Sequence, residues 1–111
     1  SSFIYKGKYI EFDAKETNNK TSFPINNVHP HQIKHIRNIL SHGGIVFLII
    51  KMNEEYYILK GRDFIGFIDK NTRKSIPYEY MKKYGIKINM TLRGLDYLSQ
   101  LDKEIENIWK N

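Results

Sequence analysis

No cysteine occurs anywhere in the sequence, which excludes disulfides, thiol nucleophiles and thiolate metal sites. A reducing, cytoplasmic setting fits that composition and is the expected location. Long hydrophobic runs are missing too. The longest, Ile45-Val46-Phe47-Leu48-Ile49-Ile50, is six residues, whereas a helix needs roughly 20 to cross a bilayer. No membrane role is expected. No charged-then-apolar leader stands before a cleavage-like site, so no export signal is expected either. There is no internal repeat and no low-complexity tract. The first residue is not Met and the chain opens as if inside an element; a processed or truncated chain is the expectation.

What the chain does contain is enough for one domain, spanning residues 1–111. Of its 111 residues, 41% are hydrophobic and 14% aromatic, sufficient for a modest core, and 27% are charged, an ordinary surface. The net charge of +6 leans toward a polyanionic partner, most simply nucleic acid. The excess is concentrated at the start: residues 1–45 carry six Lys or Arg against three acids, while residues 75–111 carry six against five. Many lysine-rich proteins bind no nucleic acid, so the motifs must decide.

Phe3-Ile4-Tyr5, a Lys6-Gly7-Lys8 turn and Tyr9–Lys15 read as two strands in a hairpin. In the second strand Ile10, Phe12 and Ala14 point one way, toward a core, and Glu11, Asp13 and Lys15 point the other, toward a surface or cleft. Residues 16–29 have loop composition. Pro30 suits the first turn of a helix whose buried stripe is Ile33, Ile36, Ile39 and Leu40, and Gly43-Gly44 end it. Residues 45–52 form an apolar strand buried on both faces, paired through an Asn53-Glu54 turn with Tyr56–Leu59. A short helix is expected over Gly61–Asp69. Ser75-Ile76-Pro77 resembles a capped entry to a helix that runs to Lys83 and stops at Gly85. A last helix is expected over Leu95–Trp109, with Leu98, Leu101, Ile105 and Ile108 at helical spacing and Trp109 packing it. The order ββ-α-ββ-α-α indicates an α/β fold, a mixed sheet flanked by helices.

Asp13 and Lys15 stand two apart on one strand and share a face. A carboxylate there can hold a hard divalent cation such as Mg2+. The ammonium can orient an attacking water and offset charge on a scissile phosphate, and the Ala14 carbonyl between them is a further oxygen donor. The same tripeptide is commonly nothing more than a solvated ion pair. His31 and His35 have the i, i+4 spacing of zinc ligands, but no Glu follows His31 and no third ligand is evident; DNA-facing or plain surface histidines are the alternative. Lys6, Lys8, Lys20, Lys34, Arg37, Arg73 and Lys74 are candidates for phosphate contact, each also readable as a solvated charge. Tyr5, Tyr9, Tyr56 and Tyr57 are expected in the core or on the sheet rather than stacked on bases.

The surrounding text is far more specific. Tyr5–Thr17, Lys20-Thr21-Ser22-Phe23-Pro24, His29-Pro30-His31-Gln32-Ile33-Lys34-His35, Gly43-Gly44-Ile45, Arg73-Lys74-Ser75-Ile76-Pro77 and Leu95-Asp96-Tyr97-Leu98 together resemble the RecU-type Holliday junction resolvases, in order and at compatible spacing. The resemblance implies a restriction-endonuclease-like PD-(D/E)XK core. It implies an Mg2+-dependent endodeoxyribonuclease, with Mn2+ as a substitute, that nicks four-way DNA junctions symmetrically in recombination and repair, as a homodimer. On that match Asp13 takes the acidic position where the family usually has Glu, Lys15 the transition-state-stabilising lysine, and Gln32 a metal-site glutamine. The family's Thr and Asp ligands from the preceding strand are expected at or just before Ser1, and no acid occurs in residues 1–10. That gap motivates a rival expectation, a truncated or degenerate resolvase that binds branched DNA without cutting it.

Overall fold

The computed structural model describes residues 1–89 together with Lys103 and Glu106. Along the chain run β1 (Ser2–Tyr5), β2 (Lys8–Glu16), β3 (Ser22–Pro24), a 3-10 turn (Ile25–Asn27), α1 (Pro30–Ser41), β4 (Ile45–Met52), β5 (Glu55–Lys60), α2 (Gly61–Lys70), β6 (Ser75–Pro77), α3 (Tyr78–Tyr84) and β7 (Ile86–Ile88). Five strands form one mixed sheet in the order β1-β2-β4-β5-β7, and β3 and β6 form a separate two-stranded ribbon. The α/β class with helices against a mixed sheet is thus the one expected, and it is compatible with a restriction-endonuclease-like core.

Two tight turns set the sheet's antiparallel pairs. Lys6 and Gly7 both take positive φ (49° and 78°), as do Asn53 and Glu54 (55° and 59°). Two consecutive residues of that hand make the hairpin turn whose twist matches the strands it joins. Gly7 accommodates the wider angle at no steric cost. Between the hairpins, β2 and β4 pair in parallel from Ile10↔Ile45 to Glu16↔Lys51. A parallel pair needs a crossover, and β3, the 3-10 turn and α1 supply it.

The strand β4 carries the core on both sides. Val46, Leu48, Ile50 and Met52 face the helices, joined by Phe23, Val28, Ile36, Ile39, Phe64 and Met81. Phe47 and Ile49 face the opposite side with Ile10, Ile58 and Ile88. That alternation is why the apolar run has no polar phase. α2 starts tight against β4: a Cβ on Gly61 would sit 2.6 Å from Val46 Cγ1 and 2.9 Å from the Val46 carbonyl oxygen. Only glycine permits that approach.

Several expectations need correcting. Ser75-Ile76-Pro77 is not a helix entry but strand β6, with Ile76 opposite Phe23 of β3; both side chains are fully buried. Burial of that pair outweighs the local Ser-x-Pro signal, and proline is tolerated because both strands are edges. β3 itself lies inside what reads as a loop. β7 adds a strand that sequence periodicity misses, since three residues are too few for a period. Ala14 does not pack on the core: it is exposed, and with Ile49 and Tyr56 it lines an open hollow. The expected helix over Leu95–Trp109, with the contacts of Trp109, lies outside the described residues apart from Lys103 and Glu106. No helix among the described residues is long and apolar enough to cross a membrane.

Candidate active site

The alternation of β2 turns Glu11, Asp13 and Lys15 toward α1. Pro30 at the first turn starts α1 beside this face, and the Gln32 side chain folds back on the helix start, its Oε1 accepting the His29 backbone N–H (3.0 Å). That places the Gln32 amide over β2. Its Nε2 donates to Asp13 Oδ2 (3.2 Å), and Lys15 Nζ donates to its Oε1 (3.2 Å). Lys15 Nζ also lies 3.1 Å from Asp13 Oδ2, so the three side chains close a triangle. Asp13 Oδ1 accepts the Ala14 N–H (3.0 Å). The Lys15 side chain is 17% exposed and that of Asp13 47%: the ammonium is held inside while the carboxylate stands at the opening.

Asp13 and Gln32 of the triangle line a cleft of about 360 Å3 between β2, β4 and α1, together with Ser1, Glu11, His31 and His35, whereas Lys15 lines the hollow that holds Ala14, Ile49 and Tyr56. The other wall of the cleft is a pair that sequence reading leaves out. His35 Nε2 lies 2.6 Å from Glu11 Oε2, and Tyr9 OH donates to Glu11 Oε1 (2.7 Å). That hydrogen bond raises the Tyr9 phenol above its ordinary pKa. The signal was present: Glu11 shares the strand face of Asp13 and Lys15. The His31 ring stacks on that of His29 with centroids 5.5 Å apart. Among the described residues, no three His, Asp or Glu side chains are grouped to hold a metal.

The sequence matches the family described as Recombination protein U (RecU) over residues 3–103. The chain belongs to the RecU family. Similar proteins named Holliday junction resolvase RecU include that of Oenococcus oeni, 47% identical over 106 residues that cover 90% of this chain and 54% of the relative. That of Bacillus cereus (strain B4264) is 45% identical over 105 residues, covering 89% and 52%. The RecU of Pediococcus pentosaceus is 43% identical over 111 residues, covering 95% and 55%. The chain therefore spans about half the length of these RecU relatives.

The RecU match covers the whole triangle, but the basic residues expected at phosphates are scattered around it. None of the seven lines the cleft. Lys34 and Arg37 line a shallow hollow on the outer side of α1 with His31 and His35. Arg37 is also committed across the helices, its Nη1 and Nη2 donating to Asp69 at 3.1 and 2.6 Å. This pairing raises the guanidinium and lowers the carboxylate from their ordinary pKa values. Lys6 pairs with Glu106. Lys8, Lys20, Arg73 and Lys74 are exposed, with Arg73 Nε 3.4 Å from Ser75 Oγ. Lys74 borders an apolar groove.

Proposed function

We propose that this chain carries the nuclease half-site of a Holliday junction resolvase, acting as a single nuclease domain that hydrolyses phosphodiesters in four-way DNA junctions during recombination and repair. The observation that carries the reading is the closed triangle of Asp13, Lys15 and Gln32, in a family whose relatives are named resolvases. In this reading Asp13 and the Ala14 carbonyl offer oxygen ligands, and Gln32 offers a third after its amide turns over. These are hard donors that suit Mg2+, or Mn2+ in its place. When bound, such an ion polarises a phosphate and a water.

Lys15 then does what its burial favours. Its ammonium, with few water contacts, stabilises negative charge developing on the phosphate more effectively than a solvated lysine would. Before metal and DNA bind, the Gln32 carbonyl oxygen keeps that ammonium aimed at the strand face and the Asp13 carboxylate balances it. A lone carboxylate concentrates little charge for Mg2+, which sheds water reluctantly. The strand register suggests where more would come from. Ser2 stands opposite Glu11 in the antiparallel pair, so a residue preceding Ser1 would stand opposite Asp13, on the same face. That is where the resemblance puts the family's Thr and Asp.

Two symmetric nicks need two sites, so a homodimer belongs to the proposal, as does a cytoplasmic location where the DNA is. The test compares this chain with Asp13→Ala and Lys15→Ala on a mobile four-way junction with Mg2+. Cleavage by the parent and its loss in both variants, by about two orders of magnitude or more, is the expected outcome. Equal cleavage by all three would refute the assignment; junction binding without cleavage by the parent would favour the non-cutting rival.

A further inference from the structure

On the far side of the segment leading into α1, away from the Asp13 triangle, lies an open groove of about 510 Å3 lined by Pro24, Ile25, Asn26, Val28, Pro30, Ile33 and Lys74. The backbone N–H groups of its apolar floor, Ile25, Val28 and Ile33, are all used within the fold. The Ile25 N–H is given to the Lys74 carbonyl (3.0 Å), the Val28 N–H to the Ile25 carbonyl (2.9 Å) and the Ile33 N–H to the His29 carbonyl (3.0 Å). Pro24 and Pro30 have none to give. A phosphate ester would find only the exposed Asn26 side chain and Lys74 to replace its water, whereas hydrocarbon on the Ile25, Val28 and Ile33 floor would lose none.

The charge in its lining is of one sign. Residues 17–53 contain no Asp or Glu, and neither do residues 70–78, and these two segments build the whole groove. Lys74 stands at its rim and the exposed Arg73 beside it. Lys34, four residues after Pro30, lies on the Pro30 side of the helix. A second copy presenting the same acid-free surface would be repelled. Nucleic acid would suit the rim but not the floor. An acidic segment with an apolar side chain suits both.

We infer that this groove is a docking site for an acidic peptide segment of a partner protein, its apolar side chain seated between Ile25, Val28 and Ile33 and its carboxylates on Lys74 and Arg73. The inference does not depend on the nuclease reading, since none of its probes is cleaved. It uses fluorescence anisotropy with a labelled short peptide carrying a Leu-Phe pair in a run of Glu and Asp. The control has both apolar residues changed to Ala. The expected result is saturable binding of the first peptide and at least about tenfold weaker binding of the control, the loss typical of an anchor side chain. Ile25→Asp and the exposed Lys74→Glu each weaken it by about tenfold or more. Lys51→Glu, an equal charge change on β4, leaves it unaltered. Equal binding of the two peptides, or no effect of Lys74→Glu, overturns the inference. So does displacement of the peptide by a short DNA duplex that binds Lys74→Glu poorly, or a shift in oligomeric state caused by Ile25→Asp without peptide binding.

Discussion

Three donors converge on Glu55 at the head of β5. Tyr57 OH donates to its Oε1 (2.9 Å), Tyr78 OH donates to the same oxygen, and Lys87 Nζ lies 2.9 Å from Oε2. Together, with Tyr78 foremost, they hold the carboxyl at about 2, below its ordinary 4.5. Burial, then its Tyr78 and Glu55 neighbours, pushes the Tyr57 phenol up. A depressed carboxyl stabilises the fold fully above its unfolded value and loses that contribution as pH falls through its folded one. The melting temperature should therefore decline as pH drops from about 4.5 toward about 2, and less steeply in Glu55→Gln. Parallel declines in the two proteins would remove Glu55 from the account. Only the Tyr57 contact, two positions along the same strand, was within reach of sequence reading; Tyr78 and Lys87 stand 23 and 32 positions away in the chain. Asp13 and Lys15 were legible, since strand alternation alone puts them on one face. Gln32 was not: helical spacing makes it an ordinary exposed amide, and only the family resemblance picked it out.

At the scale of elements, the long pieces declared themselves and the short ones did not. α1, β4 and the β4–β5 turn carry enough periodicity, or a distinctive enough turn, to be read locally. β3 and β6 have three residues each, are bounded by proline, and exist because Phe23 and Ile76 bury against each other and the sheet. Their stability is tertiary, so no window of sequence contains it. Ile76 is fully buried in the helix-side core, and truncating it to Ala should cost about 2–5 kcal/mol, as buried Ile→Ala changes do. Chemical denaturation at neutral pH measures this. A loss below about 1 kcal/mol would mean that the ribbon relaxes freely around the cavity, and that β6 does not hold α3 in place. The site would feel such a loss only indirectly, since β3 precedes the loop that brings His29 and Gln32 to the cleft.

For the whole molecule, the net charge of +6 is a weaker guide than the disposition of the charges. A cation already paired with a carboxylate has few counterions to release on meeting DNA. Arg37, held by both oxygens of Asp69, is such a group. Lys34, three residues before it on the exposed side of α1, and Lys20, at the mouth of the loop before β3, are exposed cations on the acid-free stretch. If these two meet phosphates, each Lys→Ala change should flatten the plot of log binding constant against log salt by about 0.9, and the double variant by about 1.8. Arg37→Ala should leave the slope unchanged, and in thermal melts it should cost at most about 1 kcal/mol, as exposed ion pairs do. The measurement is junction binding by gel shift across a range of salt concentrations, with no divalent ion, so that binding is read apart from cleavage. A slope that flattens for Arg37→Ala as much as for Lys34→Ala would show that the Asp69 pair opens to receive DNA. The paired and unpaired cations of α1 would then form one surface, and the ion pair between the helices would be a contact exchanged for phosphate.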